Sequence, residues 1–356
     1  MVCIACKNFP AKIRRMADPF IHWIEAKGVW APWLFVALFI AASFLMIWRL
    51  EAMSARGFEG TVLGTLVMPY CSGMGNLIFA FILGIGGSSS GGADVLTNNL
   101  VNNVTDMTLV LGMPAIIWGI KILPSKAKGK NPAKKNNNAG KAQQLNRLSL
   151  LLTLLAILFF TGAVWALGRK GSLNFNDGLV LIGFFFFWQC IHVFEVLKSD
   201  VRQGKSALGW MLPLDILLLA LGAYCIYVST DWLVAWLQNR HVGFVSAKHL
   251  GWLTGWLMVL PNALLAFYYG WQGQPETVYA SQVGDCHVSI PLCLGVYCLY
   301  HTMVMPAFFQ TGMFILLGAT VMHIFFVLIF GQLPKFFGWI LLTAYGFFLW
   351  KGLLGS

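Results

Sequence analysis

The chain gathers its amide and carboxylate chemistry in one stretch, Asn98-Asn99-Leu100-Val101-Asn102-Asn103-Val104-Thr105-Asp106. Asn99, Asn102, Asn103 and Asp106 fall at i, i+3, i+4 and i+7, which puts all four on one face of a helix. A second polar break, Cys71-Ser72-Gly73-Met74-Gly75-Asn76, interrupts an apolar segment just upstream. Hydrocarbon cannot hydrogen-bond an amide, so side chains like these at membrane depth face a protein-enclosed polar site rather than lipid. Oxygens of this kind suit an ion or a small solute. A purely structural interhelical hydrogen-bond seam is the alternative, but it would bury the Asp without use. No motif pairs a nucleophile with a base, so no enzyme is expected.

The membrane itself is read from composition. Hydrophobic residues make up 58% and charged ones 10% of 356, too apolar for a soluble domain and enough for many spans of about 20 residues. The net charge of +11 is uneven: eight of the 24 Lys and Arg lie between Lys121 and Arg147. That clustering argues for a solvated cytoplasmic loop and against a nucleic-acid surface. The eight cysteines are scattered, and those inside apolar segments read as small hydrophobes. Cys3 and Cys6 form a C-x-x-C without a second pair or nearby histidines, too little for a metal site. No cofactor is expected. The expected partners are a lipid bilayer and small inorganic cations, and the location is integral and multi-pass in an inner or plasma membrane.

Ten spans follow from the apolar runs. Residues 1–28 form a basic amphipathic segment, 29–197 a first five-helix unit carrying the basic loop 121–147, 198–206 a linker, and 207–356 a second five-helix unit. The first unit's spans lie near Trp30–Trp48, Gly60–Leu83, from Ala93, Leu148–Leu167 and Gly178–Leu197. The second unit's begin near Leu208, Gly243, Ala280, Phe308 and Lys335. Pro261 is expected to break the seventh span, and Glu195 and Asp215, close to helix ends, to snorkel to the interface.

The second unit repeats the first. Gly57-Phe58, Asn76, Ala80-Phe81 and Gly84 recur as Gly243-Phe244, Asn262, Ala266-Phe267 and Gly270, each pair 186 positions apart. The copy continues through Val283-Gly284-Asp285-Cys286-His287-Val288-Ser289, where Ser289 takes the place of Asp106 once about three extra residues are allowed in the first copy. An odd number of spans per unit makes the second insert upside down, and broken segments at matching places point to a transport site where the repeats meet.

These residues resemble the α-repeats of the sodium/calcium exchanger (calcium:cation antiporter) superfamily. Gly57-Phe58-Glu59-Gly60-Thr61-Val62-Leu63-Gly64 followed by Asn76 is similar to the first repeat's opening, and Asn103-Val104-Thr105-Asp106 to its Gly-Ser-Asn-x-x-Asn/Asp helix start. Leu260-Pro261-Asn262 and the run ending at Ser289 are similar to the second repeat. The resemblance implies an all-α membrane protein with about ten transmembrane helices in two inverted five-helix repeats. It also implies a secondary active antiporter that exchanges Na+ or H+ against Ca2+ or a monovalent cation by alternating access.

In that family each repeat supplies a Glu to the ion, and here Asn76 and Asn262 stand in both places. The implied ligands are therefore Asp106, Asn76 and Asn262 at the metal ion, with Asn102, Asn103, Ser289, Ser72 and Asp285 around it. Losing two carboxylates leaves Asp106 as the obvious deep charge, which suits a monovalent ion or a proton better than Ca2+. His287 beside Asp285 raises a proton-coupled variant. A membrane scaffold or sensor that keeps the fold without transport is the competing class.

Overall fold

The computed structural model describes residues 19–56, 70–71, 73–86, 91–121, 137–200 and 211–354. Most of the expected N-terminal segment, the Gly57-Phe58 motif, Ser72, the core of the basic loop and most of the linker lie outside them.

Ten helical segments account for almost all of the described chain. They are α1 (Ala31–Ala55), α2 (Met74–Gly86), α3 (Gly91–Ile117), α4 (Asn137–Gly168), α5 (Phe175–Asp200), α6 (Leu212–Gln238), α7 (Leu250–Trp271), α8 (275–298), α9 (Phe309–Ile329) and α10 (335–354). Among the described residues eight helices are long and apolar enough to cross a membrane, and α2 is a shorter apolar helix. Their outer faces carry Phe187, Phe194, Phe336 and Trp339, each at least 60% exposed. Apolar rings so exposed need a hydrocarbon surround.

Two of the helices are interrupted at matching places. In α3, Gly91–Thr105 is α-helical, Asp106–Val110 is a π-turn, and Leu111–Ile117 resumes the α-helix. In α8 the same sequence of states is Pro275–Val288, Ser289–Cys293 and Leu294–Cys298. Asp106 and Ser289 thus open equivalent turns, with the three-residue offset that the repeat alignment anticipates. Both turns sit in mid-helix, where π-bulges often accompany function.

Among the described residues four two-residue strands tie the halves together: β1 (Ile120–Lys121), β2 (Ser172–Leu173), β3 (Met303–Val304) and β4 (Gln332–Leu333). They pair crosswise, β1 with β4 and β2 with β3, both antiparallel. Helix crossings repeat the exchange. Gly112 of α3 meets Gly338 of α10, and Gly295 of α8 meets Gly178 of α5, so close that a Cβ on any of the four would come within 2.7–3.2 Å of the facing carbonyl. Gly251 and Gly255, spaced as small-xxx-small, let α7 lie against Asp94, Thr97 and Asn98 of α3.

α3 is the central helix. Its most apolar stretch is 78% buried, against 28% for that of α5. Leu100, Val101 and Val104, interspersed with the polar residues of this helix, are fully buried and pack on protein rather than lipid.

Several boundaries and one break are corrected. α4 starts at Asn137, inside the expected loop, and α8 starts at Pro275, because proline at N1 favours a helix start and Gly273 (φ +72°) makes the turn before it. Pro261 does not break α7, which runs unbroken from Leu250 to Trp271. A buried helix tolerates one missing N–H where its neighbours fill in. Asp215 does not snorkel. It is fully buried, its Oδ1 receiving Arg49 Nη1 at 3.3 Å and its Oδ2 receiving Arg56 Nη2 at 2.5 Å, so α1 and α6 are joined by an ion-pair cluster.

Candidate ion-binding site

The polar stripe of α3 meets an equivalent stripe on α8 at the centre of the molecule. With the offset fixed by the two π-turns, Asn99, Asn102, Asn103 and Asp106 correspond to Gln282, Asp285, Cys286 and Ser289. All eight are buried. Each stripe carries one acid, placed at its fourth position in α3 and at its second in α8.

The two stripes touch through Asn103 and its counterpart. Asn103 Nδ2 donates to the Cys286 carbonyl at 2.9 Å, and Cys286 Sγ approaches the Asn103 carbonyl at 3.9 Å. Asn103 Oδ1 accepts Ser289 Oγ at 2.6 Å and Asn102 Nδ2 at 3.2 Å. Asn102 Nδ2 also reaches Asp106 Oδ2 at 3.4 Å. The structure thus brings Asn102, Asn103, Asp106 and Ser289 into one network.

Asn262 and Asp285 form the next layer. Asn262 Nδ2 donates to Asp285 Oδ2, and Gln282 Nε2 donates to the Asn262 carbonyl at 3.3 Å. Asp285 and Asp106 are close enough to act on one another electrostatically. Asp106 is therefore not the only deep carboxylate. Gln282 is the residue that the sequence reading missed, although its position follows from Asn99 once the three-residue shift is applied.

Asn76 is buried at the start of α2, which packs on α7: a Cβ at Gly75 would lie within van der Waals radii of Met258 Sδ, one turn before Asn262. Asn98, on the neighbouring face of α3, donates Nδ2 to Thr254 Oγ1 at 3.1 Å. Ser72 falls outside the described residues.

Several side-chain oxygens of the amides and of Asp106 are left over. Asn76 Oδ1, Asn98 Oδ1, Asn99 Oδ1, Asn102 Oδ1, Asp106 Oδ1 and Gln282 Oε1 are all buried, and none has a hydrogen-bond donor among the described residues. In Asn98, Asn99, Asn102 and Gln282 the nitrogen is engaged and the oxygen is not. A buried acceptor left unsatisfied costs about 1–3 kcal/mol, and a cation needs acceptors only. Among the described residues no three His, Cys, Asp or Glu side chains gather as a metal cage, so what the centre offers is chiefly amide oxygen.

The architecture has known counterparts. The sodium/calcium exchanger from Methanococcus jannaschii is similar over 88% of this chain and 94% of its own, at 18% identity and a TM-score of 0.56. The sodium-calcium exchanger soaked with 2.5 mM Na+ and 10 mM Sr2+ gives 17% identity and a TM-score of 0.58 over 90% of this chain and 96% of its own. The same exchanger at 100 mM Na+ and 10 mM Sr2+ gives 18% and 0.53 over 89% and 99%. No curated protein sequence matches the chain. The family model for sodium/calcium exchanger proteins matches residues 27–194 and 214–351, one segment in each half. With both segments matched and the inverted ten-helix fold in place, the chain belongs to the sodium/calcium exchanger protein family.

Proposed function

We propose that the protein is a secondary active cation antiporter that exchanges Na+ or H+ against a second cation, Ca2+ or a monovalent ion, at the junction of α3 and α8. The observation that carries this reading is the set of six buried side-chain oxygens on α2, α3 and α8, Asp106 Oδ1 among them, that meet no donor among the described residues. A structural seam would match donors to acceptors, and a scaffold would have no reason to keep acceptors unsatisfied. Asp106 supplies charge, with Asn76, Asn102 and Gln282 as neutral ligands. Asn103 and Ser289 hold the two stripes in register, and Asn262 orients Asp285.

The second carboxylate changes the expected selectivity. One Asp suits a monovalent ion, whereas Asp106 and Asp285 together offset a divalent charge or two monovalent ones. Ca2+ favours six to eight oxygens with more than one carboxylate, and this centre offers that mixture.

Purified protein in liposomes is expected to move Ca2+ inward when a Na+ or pH gradient is imposed in the opposite direction, and Asp106→Asn to abolish the flux. Flux at the wild-type level in that variant would refute the assignment.

A further inference from the structure

The two π-turns have different causes. In α8 the third residue of the turn is Pro291. Proline has no N–H to give the carbonyl four residues back, so the α-helical bond is missing there, and here, unlike at Pro261 of α7, the helix yields. In α3 the equivalent third residue is Thr108, which has an N–H, and the proline of this helix, Pro114, lies past the turn and frees only the carbonyl of its last residue, Val110.

The α3 turn is instead held from outside. Leu111 N–H, which in an α-helix would bond the Met107 carbonyl, bonds the carbonyls of Asp106 and Thr108. The Met107 carbonyl is taken by His323 Nε2 of α9 at 2.9 Å. A carbonyl only accepts, so Nε2 carries the proton. His323 is fully buried, with its ring beside Tyr279 (5.6 Å between centroids) and Phe337 (5.4 Å). Thr108 Oγ1 also bonds back to the Val104 carbonyl, a habit of Thr that bends helices.

From this contrast we infer that His323 is a positioning residue for the ion site: its hydrogen bond to Met107 stabilises the π-turn that aims Asp106 into the centre, as Pro291 does covalently for Ser289. The inference rests on the reading of Asp106 as a cation ligand. His323 touches no ion and acts through the backbone of the residue next to Asp106.

The test uses full-length protein, with Ca2+ and Na+ binding followed by calorimetry and folding by thermal melting. His323→Leu fills the space and removes the donor, and affinity is expected to fall roughly 10–100-fold, the usual effect of losing an outer-shell partner. His323→Gln keeps an N–H for Met107 and is expected to retain most of the affinity. Adding Thr108→Pro to His323→Leu transplants the second repeat's solution into the first and is expected to restore binding. A packing role would give no such rescue, and failure of both the Gln variant and the Pro rescue overturns the inference. Asp106→Asn is measured alongside. If it abolishes binding while His323→Leu leaves affinity unchanged, only the His323 inference falls; if Asp106→Asn binds like wild type, the site reading falls and takes the inference with it.

Discussion

Asp285 decides how much negative charge the centre can hold. The resemblance puts it among the ligands around the ion, and the offset fixed by Asp106 and Ser289 makes it the counterpart of Asn102. At an effective dielectric of about 20, a unit charge pair at 4 Å is worth roughly 4 kcal/mol, close to three decades in affinity. Asp285→Asn should therefore weaken Ca2+ far more than Na+, measured as the ratio of the two binding constants. An unchanged ratio would mean that Asp285 only orients Asn262. The amides were legible beforehand because intramembrane Asn is rare and its helical spacing is plain. Gln282 was not, since Gln282 follows a Ser in a run of ordinary polarity and gains meaning only from its symmetry mate.

Helix crossings set what the centre can tolerate. Gly338 faces the Gly112 carbonyl at 2.7 Å from a would-be Cβ, whereas Gly183 of α5 has nothing within 4 Å. Gly338→Val is expected to lower stability by about 1–3 kcal/mol through overpacking, and Gly183→Val to leave the melting temperature unchanged. The ion-pair cluster of α1 and α6 gives a second test. Asp215→Ala strands the buried Arg49, a loss of about 3–5 kcal/mol, while replacing Arg49 and Asp215 together by Leu is expected to recover most of it. Thermal melts of the three proteins check the order. Neither the crossings nor the cluster was readable from sequence. Glycines look alike until a neighbour is known, and Asp215 near a helix end gives no sign that two arginines from another helix will cover it.

At the scale of the whole molecule the inverted repeat was legible, because six identities in one register and an odd span count per half admit few other architectures. The β ties were not, since a two-residue strand has no pattern to detect. They place Lys121 and Val304, both exposed, at strands β1 and β3. β3 and β4 flank α9, whose 21 residues span about 31 Å, and β1 pairs with β4. Cysteines introduced at Lys121 and Val304 are therefore expected to react with an impermeant maleimide from opposite sides of the membrane, over the signal of the unsubstituted protein. Labelling of both from one side would contradict the inverted arrangement.

The crosswise strands also bear on how the protein is made. Each half exports two strands whose mates are encoded in the other, so a chain severed at the 201–210 connection leaves both products with raw edges and a polar seam open to lipid. Neither fragment should accumulate by itself, and both should survive and co-purify when synthesised together.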